Sequence, residues 1–194
     1  MVGPTTFGYQ NLGFGAGGAD AGQLELLRTQ TISSNVSAVE FTSLQESIYK
    51  VHLLTLHKVE SDADNKAIEI GLSNDSGSSY ETSNYHWAWM YMKSNGTFTE
   101  KTNTSGGDFT IVQNIGNNTA ENFGGYVYLY NLGESSQYSN VTWHGTGMTQ
   151  DPDYISVYGS GTYHVAETVN ALRIKFSSDN VASGVFSLYG VKGI

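Results

Sequence analysis

Gly13-Phe14-Gly15-Ala16-Gly17-Gly18 meets the spacing G-x-G-x-x-G, which in dinucleotide-binding turns lets backbone amides approach a pyrophosphate at a helix start. No strand pattern precedes it and no amphipathic helical stripe follows, so it reads as part of a Gly-rich arm. The five histidines, His52, His57, His86, His144 and His164, lie on or beside predicted strands without H-x-H or H-E-x-x-H spacing. That is the pattern of structural or surface histidines, not of a zinc site. His52 and His57 are five apart and would face opposite sides of one strand. Asp151 and Asp153 flank Pro152, and Asp62 and Asp64 share a loop. Neighbouring turn carboxylates do not face each other across a substrate cleft as a glycosidase pair must. The second pair has the makings of a calcium loop, although solvated turn residues are the commoner outcome. With no Cys and no G-x-S-x-G elbow, an activated nucleophile is also missing. We assign no catalytic residue, no metal ligand and no cofactor, and expect a protein that works by binding or assembly.

The aromatic runs carry more weight. In Tyr85-His86-Trp87-Ala88-Trp89-Met90-Tyr91-Met92 the period of two puts Trp87, Trp89 and Tyr91 on one strand face. Trp is so often buried that this face is expected to fill the core. Tyr126, Tyr128 and Tyr130 share a face opposite Val127 and Leu129, and the aliphatic pair can take the core side. This tyrosine ladder, with Trp143 and His144, is the predicted ligand or interface surface, because flat aromatic side chains stack sugar rings or anchor protein partners.

The elements that would position these residues are strands. Short runs rich in β-branched and aromatic residues alternate with Gly, Asn, Ser and Asp clusters, and no segment carries a sustained helical stripe. The pattern predicts strands over 24–32, 47–59, 67–72, 85–93, 109–112, 125–131, 138–143, 154–163, 171–177 and 184–191. Ser94-Asn95-Gly96 predicts a hairpin corner, while 104–108 and Gly145-Thr146-Gly147 read as looser loops. Many antiparallel strands joined by uneven loops predict one all-β domain over residues 23–194, a jelly-roll-like antiparallel β-sandwich. Residues 1–22 form an extended Gly-rich N-terminal arm, and Phe7, Tyr9, Leu12 and Phe14 on it are predicted to dock onto a neighbouring subunit or another protein.

The 194-residue chain is 39% hydrophobic and only 14% charged, with a formal charge of −9, enough apolar area for a single core. Between residues 102 and 172 there is no Lys or Arg to offset six acids. Nucleic-acid binding depends on basic patches that replace condensed counterions, so no nucleic-acid partner is expected. No apolar stretch reaches membrane-spanning length and the first basic residue is Arg28, so neither membrane insertion nor a secretory signal peptide is expected.

Two stretches support a more specific reading. Ser43-Leu44-Gln45-Glu46-Ser47-Ile48-Tyr49-Lys50-Val51 and Ser183-Gly184-Val185-Phe186-Ser187-Leu188-Tyr189-Gly190-Val191-Lys192-Gly193 resemble the opening and closing strands of a β-sandwich module of tailed-bacteriophage virion proteins. The L-Y-G-V-K-G ending is the stronger match. Ala171-Leu172-Arg173-Ile174-Lys175-Phe176 and the turn after it resemble the module's penultimate strand, so the resemblance spans about residues 24–194 with a divergent middle. It implies a non-enzymatic structural protein located in the virion. The resemblance leaves the position on the particle open, and a short single-domain chain without a fibrous shaft favours capsid decoration, assembled through the arm and sheet surfaces, as a homo-oligomer, on major capsid or tail proteins. The alternative it implies is a tail fibre or tail tip module that binds a receptor such as a host surface glycan.

Overall fold

The computed structural model describes residues 23–118 and 120–193. The arm, and with it Phe7, Tyr9, Leu12 and Phe14, lies outside the described residues. Among those described there are twelve strands and no helix: β1 (Leu24–Ile32), β2 (Val39–Phe41), β3 (Val51–Ser61), β4 (Lys66–Ser73), β5 (Tyr85–Lys93), β6 (Phe98–Gly106), β7 (Phe109–Ile115), β8 (Phe123–Tyr130), β9 (Tyr138–Met148), β10 (Tyr154–Ala166), β11 (Ala171–Phe176) and β12 (Val181–Val191). They form two antiparallel sheets, one of eight strands in the order β1-β12-β3-β8-β9-β10-β5-β6 and one of four in the order β2-β11-β4-β7. The smaller sheet packs on the larger, as a β-sandwich.

Alternation decides what lies between the sheets. Ile68, Ile70 and Leu72 of β4 and Leu172, Ile174 and Phe176 of β11 face Leu54, Leu56, Val127, Leu129, Trp143, Val157, Phe186 and Leu188 of the larger sheet, all buried. Each such side chain contributes about 2 kcal/mol by leaving water. Trp87, Trp89 and Tyr91 also point inward and are no more than 8% exposed. Their stacked rings, 5.3–6.4 Å between centroids, fill the end of the core beneath β7. The Trp87 indole donates to the Asp108 carbonyl at 3.1 Å.

Departures from the sequence reading have local causes. Residues 47–50 are not strand: Gln45 takes a left-handed φ of 55°, and its carbonyl accepts the amides of Ile48 and Tyr49. The chain therefore turns there and enters β3 only at Val51. A bulge at Lys58, φ 51°, then resets the alternation so that Val59 points inward. β2 and β6 were not expected. β6, FTEKTNTSG, has almost no apolar residue because both its faces are largely exposed; its pairing to β5 makes it a strand. The hairpin between β5 and β6 turns at Ser94-Asn95-Gly96 as predicted, with Gly96 at φ 85°. Gly145-Thr146-Gly147 is not a loop but the continuation of β9.

Candidate binding face

The outward side of the larger sheet is built from register. Tyr126 on β8 pairs with His144 on β9, His144 with Tyr158 on β10, Tyr158 with Met90 on β5, and Met90 with Glu100 on β6. These large side chains form a ridge crossing the sheet at right angles to its strands. Two residues along, about 7 Å away, the neighbouring rows hold stretches of smaller residues. On one side are Gly124, Thr146 and Ser156, followed by Met92 and Phe98; on the other, after Tyr128, are Thr142, Ser160, Ala88 and Thr102. A trough runs along each small stretch. The first has a volume of about 370 Å³, floored by Gly124, Thr146 and Ser156 and walled by Tyr126, His144 and Tyr154. The second, about 310 Å³, lies between Ala88, Thr102 and Ser160 and the ridge residues Met90, Glu100 and Tyr158.

The ladder residues take their predicted side. Tyr126 is 42% exposed, and Tyr128 and Tyr130 are half-buried. Tyr128 and Tyr130 stack at 25°, whereas Tyr126 stands nearly perpendicular to Tyr128 and to His144. Tyr126 thus leaves the stack and edges the trough. Tyr130 shares a hydroxyl contact of 3.2 Å with Thr142. His144 is exposed and lies 3.4 Å from the Ser156 hydroxyl.

Trp143 does not belong to this face. It is 4% exposed, and its indole donates to the Ile111 carbonyl of β7 at 2.9 Å. Being next to an outward residue on a strand, it must point inward, so Trp143 is a core residue and His144 alone of the pair reaches the surface. Sequence reasoning also missed Tyr154 and Tyr158, 50% and 47% exposed. The alternation Tyr154-Ser156-Tyr158 opposite Ile155 and Val157 carried that signal.

The titratable groups nominated by the sequence are structural or scattered. His57, His86, His144 and His164 face outward, while His52 points inward with Nε2 2.7 Å from the Leu44 carbonyl. Burial pushes the His52 pKa below the usual imidazole range. Asp62 accepts from the amide and side chain of Asn180 and from Asn35, Asp64 accepts from the Asn117 amide, and Asp153 pairs with Lys93 at 3.2 Å. Among the described residues no group of three or more His, Asp or Glu is placed to hold a metal ion. Compared with protein-family models, curated proteins and solved structures, the chain matches none.

Proposed function

We propose that this chain is a non-enzymatic structural protein of a bacteriophage particle, foremost a capsid decoration or accessory protein. It would act as a homo-oligomer that assembles on major capsid or tail proteins through its N-terminal arm and the outer face of the larger sheet. The observation that carries the reading is that face. From β12 across to β5 its three central outward rows, the first running from Val185 to Met92, include Tyr, His, Thr, Ser, Leu and Met but no Asp, Glu, Lys or Arg, and the charged Lys58, Glu60 and Glu100 lie at the margins. Charge is depleted and aromatic residues enriched in the same way at the centres of protein interfaces.

Strand order lends further support. We read β1, β12, β3 and β8 in one sheet and β2, β11, β4 and β7 in the other as the two four-stranded sheets of a jelly roll. On that reading the hairpins β5–β6 and β9–β10 widen the first sheet, and they carry most of the ridge. The L-Y-G-V-K-G stretch falls at the end of β12, between β1 and β3. Gold-labelled antibody against the sandwich tests the assignment on intact particles. Label over capsid facets is the expected result, and particles without label overturn the virion reading. A second reading, a receptor- or glycan-binding tail module, is favoured by the trough beside Tyr126; label confined to the tail would put it first.

A further inference from the structure

We infer that the trough over Gly124, Thr146 and Ser156 is a binding site for one ring of a neutral saccharide, stacked against Tyr126 and Tyr154. The inference rests on the binding reading of the outer face and is independent of where on a particle the chain sits. Gly124 is its starting point. A glycine inside a strand weakens it, and its usual reasons are a positive φ, a crowded neighbour, a bulge or a close approach to the backbone. The first two do not hold here. Gly124 has no left-handed φ, and a Cβ built on it would meet only the Leu56 carbonyl at 3.6 Å, an ordinary contact. Two nearby glycines are explained by packing, since a Cβ on Gly145 would enter the Phe123 ring and one on Gly125 the His144 carbonyl. What remain are the β3 bulge that Gly124 faces, between the pairs Leu56–Gly125 and Val59–Phe123, and the space its missing side chain leaves for something outside the chain to come close to the backbone.

The walls fit a sugar. Tyr126 and Tyr154, 42% and 50% exposed, offer aromatic surface for the C–H face of a pyranose. Ser156 and the two phenols supply hydroxyls that both donate and accept, as sugar hydroxyls do. Thr146 already donates to the Ile155 carbonyl at 3.0 Å, which leaves its oxygen as an acceptor. The volume of about 370 Å³ lies at the small end of ligand sites, which run from roughly 300 to 1,000 Å³. No Asp, Glu, Lys or Arg lines the trough, and the chain carries −9 overall. An acidic sugar would find no Lys or Arg there and would be repelled at long range.

The test follows backbone amides by NMR while the full chain is titrated, up to about 10 mM, with the methyl glycosides of glucose, galactose, mannose, N-acetylglucosamine and rhamnose. The methyl glycoside of sialic acid serves as the anionic control. At least one neutral glycoside should shift the amides of residues 124–126 and 144–146 saturably, while the anionic one should not. Gly124→Val narrows the trough from its floor, where a Cβ meets only the Leu56 carbonyl at 3.6 Å, and, like Tyr126→Ala, should weaken the binding at least tenfold while leaving the rest of the spectrum unchanged. Silence from every neutral glycoside, shifts that ignore both substitutions, or equal binding of the sialoside would each overturn the inference. If the glycosides are silent but Gly124→Val detaches the protein from particles, the face is a protein interface. In that case the binding reading survives and the saccharide does not.

Discussion

The two sheets turn opposite kinds of surface to water. Outside the four-stranded sheet, Asp108 pairs with Arg173 at 3.4 Å and with Lys175 at 3.1 Å, Lys175 also pairs with Glu69, and the Arg173 guanidinium lies 4.4 Å over the Tyr80 ring. Outside the eight-stranded sheet the ridge runs from Tyr126 through His144, Tyr158 and Met90 to Glu100, with troughs beside it and, among the described residues, no ion pair along it. One outward glycine on each side sharpens the contrast. A Cβ on Gly71 would run into Asp108 and Arg173, whereas one on Gly124 meets almost nothing. The smaller sheet's surface is filled by its own paired side chains, although Arg173 Nε and Tyr80 Oη are buried without a hydrogen-bond partner; the larger sheet's surface has open space beside Gly124.

The most direct way to break this comparison is to show that the larger sheet has been read inside out. Trp143→Ala removes a buried indole and its hydrogen bond to β7 and should cost about 3–5 kcal/mol. His144→Ala, one residue on, should stay within about 0.5 kcal/mol. Urea unfolding of the two variants decides it, and equal losses would mean that the ridge is core. The paired glycines come next. Gly71→Ala should destabilise by about 1–3 kcal/mol through overpacking, while Gly124→Ala should be neutral or stabilise by up to about 1 kcal/mol by restricting the unfolded chain. A loss at Gly124 in the isolated protein would remove the argument that its space is reserved for a ligand. Asp108→Asn should cost about 1–2 kcal/mol, less than breaking a fully buried pair, because the three partners remain 14–24% exposed. Raising the salt concentration should narrow that difference.

How much of this was legible depended on whether packing leaves a trace in residue type. The strands over 24–32 and 85–93 could be read to the residue because alternation or apolar content ran their whole length. β6 could not, since a strand exposed on both faces records no periodicity. Nor could the end of β9, where the Phe123 ring needs glycine at 145 and so writes a loop-like sequence into a paired strand. The tyrosine ladder was legible because Val127 and Leu129 fixed its inward side. The trough was not, because it arises from residues on three strands whose register depends on long-range pairing. Trp143 was misplaced because residue type was allowed to outweigh the alternation that His144 and Val141 define.

The smallest expected effect separates the surfaces by pH. Asp75, in the loop after β4, accepts the Ser79 hydroxyl at 2.6 Å, the Ser79 amide at 2.9 Å and the Ser73 hydroxyl at 2.8 Å. These bonds, those from Ser79 foremost, lower its pKa from 3.8 to about 2. A carboxyl whose pKa is lower in the folded chain stabilises it above the unfolded value, and that contribution is lost as pH falls through the folded value. The gap in urea midpoint between the native chain and Asp75→Asn should therefore be full above about pH 4 and close between about pH 4 and 2. Tyr126→Ala should shift the midpoint by the same amount across that window, because no carboxylate lines the trough it borders. If the Tyr126 difference also collapsed in acid, an ionised group would have to be coupled to the ridge. The surface described as neutral would then depend on charge as the other does.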